Sequence, residues 1–307
     1  MKPGYITVAA IAGLIGTAQA ALAQEQLAIG FPPSIDMLPA IVAHENGCLA
    51  DAGYASSLTV IPIATNIPPA LLSGSLQIGM STPTILLPAV ENGVDLVAVA
   101  GGTVMQAGNE GVSLITRPDL KITEGSQLKG LKVGVPGIMS VADLVFRKWL
   151  TETGVNPNDV TFIEVPLPRM AEMMKSGTID AVVAIQPVLG GLVAAGIAER
   201  QAGEFFSDAA DGAIMALWSA SGEWAKAHPQ AVAAFRTCLD ASIPWIIENR
   251  AAANEIGAKY LNFSTDFTPA WRTKLDAADF DFYETISREF DLVRSDADTS
   301  KLIFAGE

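Results

Sequence analysis

Apolar positions along this chain switch repeatedly between a period of two and a period near 3.6, the alternation of strands with amphipathic helices. Residues 27–30 read as a strand. A turn bearing Pro and Ser follows at 31–36, and 37–50 repeats apolar residues at helical spacing to a stop near Gly53. A strand at 58–63 leads to Thr65 and Asn66, which can cap a helix reaching 72, with Pro68 tolerated in its first turn. A strand at 76–80, a helix at 83–91 behind Ser81 and Thr82, and a strand at 94–100 complete the first run. The rhythm then restarts with strands at 111–116 and 131–135. A long helix at 141–153, a strand at 160–165, a helix at 169–176 closed by Gly177 and a strand at 179–185 follow. Pro187 and the Gly190-Gly191 pair break the pattern before a short helix at 192–198, and 213–219 is strand-like again. The remainder is nearly all helical pattern, at 222–226, 229–249, 251–260 and 269–290.

Strand, turn and helix in that succession predict an α/β fold whose sheets are mostly parallel and flanked by helices. The two runs predict two lobes. Residues 24–115 and 213–307 form the first, its second part mostly helical, and 116–212 form a second lobe inserted into it.

The segment before the first strand is of another kind. Lys2 is its one cation, residues 6–22 are apolar and uncharged over about 17 positions, and Ala21-Leu22-Ala23 precedes Gln24-Glu25-Gln26. That is the layout of a secretory signal peptide at 1–23, cleaved after Ala23 with Ala20 as the next choice, which sends the mature chain to the periplasm. The apolar run is at the lower limit for a bilayer span and lacks a basic flank to hold it there. Asp and Glu number 33 against 19 Lys and Arg, a net charge of −14, which argues against nucleic acid and anionic membranes as partners. It does not exclude an anionic solute, because helix N-termini act locally. Cys48 and Cys238 each sit inside apolar helical pattern, far apart in sequence. They are expected as two buried small side chains, with a single disulfide as the alternative in an oxidising compartment.

Chemistry is sparse. No Gly-x-Ser-x-Gly elbow, phosphate loop, dinucleotide fingerprint or His-Glu-x-x-His is present, and two His with two Cys lack metal-site spacing. A cofactor, a metal and an enzymatic role are therefore not expected. What recurs is a set of strand-to-helix turns carrying small or capping residues: Ser34 and Asp36, Thr65 and Asn66, Ser81 and Thr82, then Gly137, Met139 and Ser140. In a parallel sheet such turns line the carboxyl edge of the strands, where ligands bind, and their free amides suit a polar or anionic group. Each is equally readable as an ordinary cap. Ile35, Met37, Ile138 and Met139 would line the same edge with apolar surface, and Phe31 and Trp218 are its candidate aromatics.

Several stretches resemble the periplasmic solute-binding proteins of ABC importers, in the nitrate, sulfonate and taurine group that also includes binders of thiamine-pyrimidine precursors. They are Leu-Leu-Ser-Gly-Ser-Leu-Gln-Ile-Gly at 71–79, Gly-Val-Asp-Leu-Val-Ala-Val-Ala at 93–100, Leu-Lys-Gly-Leu-Lys-Val-Gly-Val-Pro at 128–136, Met-Lys-Ser-Gly-Thr-Ile-Asp-Ala at 174–181, and His228-Pro229-Gln230. The resemblance implies a two-lobed type II binding protein with two hinge crossings. Its lobes would close on a small-molecule solute, and the protein would serve an ABC permease of the inner membrane as a monomer. Two departures bear on the solute. Where relatives carry an acid before a proline, this chain has Gln186, which cannot hold an ammonium group by charge. Arg169 stands at a helix start where relatives have an acid, opposing the dipole. It pairs either with a ligand carboxylate or sulfonate or with Glu172 or Glu164 on the surface. These departures point to a small organic anion, such as a sulfonate, a carboxylate or an aromatic acid. A neutral heterocycle is the alternative solute, and a sensor that presents its ligand to a receptor is the alternative role.

Overall fold

Buried apolar strands gather into two five-stranded sheets, as the interrupted rhythm requires. The computed structural model describes residues 24–108, 111–201, 205–206, 209, 211–261, 265, 267–294 and 299–306; the segment read as a signal peptide lies outside them. The first run forms β1 (Glu25–Phe31), α1 (Leu38–Glu45), α2 (Cys48–Asp51), β2 (Tyr54–Val60), α3 (Ile67–Leu72), β3 (Ile78–Ser81), α4 (Pro83–Glu91), β4 (Leu96–Gly101) and the short β5 (Thr103–Val104). The second forms β6 (Val112–Thr116), β7 (Lys132–Val135), α5 (Val141–Glu152), β8 (Thr161–Glu164), α6 (Met170–Lys175), β9 (Ala181–Ile185), α7 (Val188–Ala194) and β10 (Glu199–Arg200). The chain ends with β11 (Leu217–Ser221), α8 (Gly222–Ala227), α9 (Pro229–Glu248), α10 (Arg250–Leu261), β12 (Ala270–Trp271) and α11 (Asp281–Glu289).

The sheets run in the orders β2-β1-β3-β11-β4 and β10-β6-β9-β7-β8. In each, four strands point one way and one is reversed. The reversed strands are β11 and β6, each the first sheet strand after the chain passes from one sheet to the other. This is the α/β, two-lobed type II architecture expected.

Between the sheets the two crossing segments run side by side. Met105 N–H donates to Ala213 O at 2.8 Å, Gly212 N–H to Met105 O at 2.9 Å and Met215 N–H to Thr103 O at 2.7 Å. On the other side of β5, β12 pairs antiparallel, and Arg272 N–H donates to Gly102 O at 2.8 Å. Three strands therefore meet at Gly101 and Gly102, and the glycines make this possible. A Cβ on Gly102 would stand 2.6 Å from Ala216 O, and one on Gly101 would collide with Arg272 O.

Four expectations need correction. The pattern at 269–290 is not one helix. Its start becomes β12, because backbone donors there find the open edge of the crossing strand, and only α11 is helical. Helix α7 runs through Gly190 and Gly191 instead of starting after them, since burying Leu189 and Leu192 outweighs the ~1 kcal/mol cost of each glycine. β2 starts four residues early, because β1 offers seven consecutive partners from Glu25↔Tyr54. Cys48 and Cys238 form a disulfide, because α1 and α2 pack on α9 and bring their Cα atoms to 5.8 Å. Residues 190 apart gave no sequence sign of that approach.

Candidate ligand-binding cleft

The carboxyl ends of β1 and β3 on one sheet face those of β7 and β9 on the other across a cleft. The first sheet supplies Ser34, Asp36, Ala64, Thr65, Met80 and Thr82. The second supplies Val112, Gly137, Ser140, Val141, Leu167 and Ile185, with Phe206 and Met215 toward the crossing. Six of the eleven residues singled out by sequence thus share one cavity: Ser34, Asp36, Thr65, Thr82, Gly137 and Ser140. Asn66, Ser81, Met139, Arg169 and Gln186 are not among those lining it.

Asp36 dominates the polar character of this space. It is only 4% exposed, at the start of the 3-10 turn that leads β1 into α1. Ser34 Oγ donates to Asp36 Oδ2 and accepts from Asp36 N–H at 3.4 Å, closing the turn on itself. The Trp271 indole N–H donates to Asp36 O at 3.1 Å and fixes the backbone from β12. Burial drives the carboxyl above its ordinary range, and the Ser34 and Thr103 hydroxyls oppose this only in part. The buried Thr103 hydroxyl stands near without full hydrogen-bond geometry. Among the described residues that line the cavity, Asp36 is the one ionisable side chain.

The remaining turns divide into two kinds. At 64–66 and 82–84 no side chain caps the following helix, and the Thr82 hydroxyl lies 3.0 Å from that of Thr84. These are the turns whose capping role had been expected. Across the cleft, the turn at 137–140 is satisfied internally. Ile138 N–H donates to Glu164 Oε2 at 3.0 Å, Met139 N–H to Asp143 Oδ2 at 2.7 Å, and Ser140 Oγ accepts from Asp143 N–H at 3.4 Å. Met139 takes a left-handed φ of 60° to make this arrangement. Asp143 is fully buried and accepts from Arg147 Nε at 2.9 Å; its carboxyl is raised, because burial outweighs the Arg147 charge and the Met139 amide.

Arg169 lies away from the cleft, with a side chain 61% exposed and Nε 2.8 Å from Glu172 Oε2, an i,i+3 surface pair. Gln186 turns its amide oxygen back to Gly190 N–H at 3.3 Å, and the Gln186–Pro187 bond is cis. Phe31 and Trp218 are core, 6.4 Å apart edge to face, and Met37 is fully buried. The aromatic that does reach the cleft is Phe206, in a turn with no periodic signal around it. Trp271 of β12 supports the Asp36 backbone from 235 residues away. Among the described residues, no His, Cys, Asp and Glu side chains cluster to hold a metal, and no helix is long and apolar enough to cross a membrane.

This architecture is widely shared. The alkanesulfonate-binding protein SsuA from Xanthomonas axonopodis pv. citri, solved bound to MOPS, superposes with a TM-score of 0.77 over 91% of this chain and 98% of that one, at 17% identity. The periplasmic nitrate-binding protein NrtA from Synechocystis PCC 6803 gives 0.75 over 90% and 84%, at 15% identity. In sequence, the nitrate/nitrite binding protein NrtA of Nostoc sp. (strain PCC 7120) is 26% identical over 240 residues. That alignment takes in 71% of this chain and 53% of that protein, so this chain spans about half the length of that curated relative. The model of the NMT1-like family matches residues 20–261, and with the two-lobed periplasmic binding fold it establishes that the chain belongs to that family.

Proposed function

We propose that this chain is the substrate-binding component of an ABC-type importer. It is exported by removal of residues 1–23 and captures a small organic solute between lobes at 24–115 with 213–307 and at 116–212. Its similarity to nitrate-binding and alkanesulfonate-binding proteins supports the class. The Cys48–Cys238 disulfide supports an oxidising compartment. Closure of one lobe on the other would turn on the two crossing segments, which are the chain's passages between the sheets.

The cleft carries the reading of the solute. It is walled by apolar side chains, and its one ionisable group is the buried Asp36. A sulfonate or nitrate would meet no cation there, since Arg169 is committed to Glu172 on the surface. The loop amides at Ile138 and Met139 already serve Glu164 and Asp143. This favours a solute with an apolar body and a hydrogen-bond donor, an N–H of a neutral heterocycle or an ammonium, placed against Asp36. The expected anion finds donors only at the uncapped starts of α3 and α4, on the same wall as that acid.

The test is mass spectrometry of solute released from the purified mature chain, followed by calorimetric titration of that compound beside nitrate, methanesulfonate and benzoate. A donor-bearing neutral or cationic solute that binds more tightly than all three anions bears the reading out. Tight binding of an anion alone overturns it.

A further inference from the structure

The two five-stranded sheets have four edges, and three are blunted against further pairing. The end of the chain covers β4: Ala98 bridges Ile303 in parallel, and Phe304 N–H donates to Ala98 O at 2.9 Å. β10 is two residues long, Glu199 and Arg200, both charged. β8 has four residues, with Asp159 just before it and Glu164 at its end. β2 has none of these protections. It runs seven residues in unbroken register with β1, without charge, proline or bulge. Ile61 N–H donates to Phe31 O at 2.8 Å, so the strand's period of two turns the odd-numbered residues toward β1. The N–H and C=O groups of Tyr54, Ser56, Leu58 and Val60 therefore point outward, and among the described residues no strand pairs with them. The charge pattern sets the same region apart. Residues 52–90 contain no Asp, Glu, Lys, Arg or His, in a chain that is 17% charged and carries a net −14. Two of the three large apolar side chains left exposed among the described residues, Val60 and Leu72, fall within that stretch.

We infer that β2 is a self-association edge: two copies of the chain pair β2 to β2, antiparallel about a twofold axis at Ser57, and join their first sheets into one. Two observations select a second copy as the occupant. The first is a self-complementary register. Centred on Ser57, Tyr54 meets the partner's Val60 and Ser56 meets the partner's Leu58, so every outward N–H and C=O of the strand gains a partner. The Tyr54 and Val60 pairs are aromatic against β-branched, a favourable cross-strand contact. The second is the placing of charge. The acids that adjoin β2 are Glu25, opposite Tyr54 on β1, and Asp51, at the end of α2. Both stand at the Tyr54 end, and the antiparallel arrangement sets that end against the uncharged Val60 end of the other copy. An acidic chain meets its own copy there with least repulsion. The dimer departs from the monomer that the family resemblance implies, and it is independent of which solute the cleft takes.

Two measurements test it. In sedimentation equilibrium, the mature chain loaded from about 1 µM to about 1 mM should show a monomer–dimer equilibrium. Added salt should tighten it, because screening weakens the repulsion between two acidic copies. Ser57→Glu places like charges together on the axis and should weaken dimerisation about tenfold or more. Ser57 is exposed, so the variant should fold as the wild type does, which circular dichroism checks. Separately, Ser57→Cys should form an intermolecular disulfide on mild oxidation, because facing residues outside the hydrogen-bonded pairs bring their Cα atoms to about 4.5 Å. Ser176→Cys, equally exposed but on the other lobe, should not. A dimer indifferent to Ser57→Glu overturns the inference, as does equal crosslinking of the two cysteine variants. A monomer at every concentration overturns it too, and if Ser57→Glu then slows uptake of solute by cells, the edge serves the permease instead.

Discussion

The two walls of the cleft are built from the same motif, a strand leading through a short turn into a helix, and they use it oppositely. On the first sheet the turns present an acid and uncapped helix starts to the open space: Asp36 after β1, then 64–66 and 82–84 without side-chain caps. On the second sheet the turn at 137–140 is closed by Ser140, Asp143 and Glu164, and what faces the cleft is largely Val112, Val141, Leu167, Ile185 and Phe206. One wall brings the cleft its acid and its open helix starts; the other is mostly apolar, and in the proposed function the first holds the solute and the second covers it. A turn with capping residues therefore identifies the edge that lines the cleft, and the partners of its amides decide whether any hydrogen-bonding capacity is left over.

The frames behind the walls differ too, and this gives the largest expected effect. The first sheet is assembled from both ends of the chain, and the Cys48–Cys238 bridge joins them around everything inserted between. Closing a loop of that length is worth about 5 kcal/mol in the chain-entropy model. Replacing both cysteines with Ala should lower the unfolding free energy by about that amount in urea titrations. A loss below 1 kcal/mol would show that packing of α1 on α9 holds the frame unaided.

The holding wall is broken at Asp36. Asp36→Ala should weaken the natural solute roughly ten- to hundredfold in calorimetry, the range for a buried hydrogen bond to a charged group. Asp36→Asn separates binding from stability. The wild-type carboxyl is held above its unfolded value of 3.8, so the folded chain binds that proton more tightly and loses stability as pH rises through the folded value. The Asn variant should gain on the wild type across that window and match it at lower pH. Melting curves between pH 3 and 8 that stay parallel would mean the carboxylate is compensated in the fold.

The covering wall is tested more gently. Ser140→Ala removes the cap of α5 and should cost about 1 kcal/mol with little change in solute affinity. Arg169→Ala is expected to do least, under about 0.5 kcal/mol for an exposed pair, with unchanged affinity. A tenfold loss of affinity on that change would return Arg169 to the cleft and reverse the contrast between the walls.

Sequence determined the class of this protein. Apolar periodicity is local, so the order of strands and helices, the two runs and most of the cleft-edge turns were readable from neighbours a few residues apart. Ser34, Asp36, Thr65, Thr82, Gly137 and Ser140 were found because a strand followed by a cap residue is a short-range signal. Tertiary structure decided what the turns are for. Whether an amide at Ile138 is free depends on Glu164, 26 positions on; Asp36 is buried and propped by Trp271, 235 positions on; and Cys48 meets Cys238 only when two helices pack. Arg169 shows the same limit in reverse, since its helix start was legible and its direction was not. Charge and polarity are read one residue at a time, while burial, partner choice and protonation depend on what distant segments bring alongside.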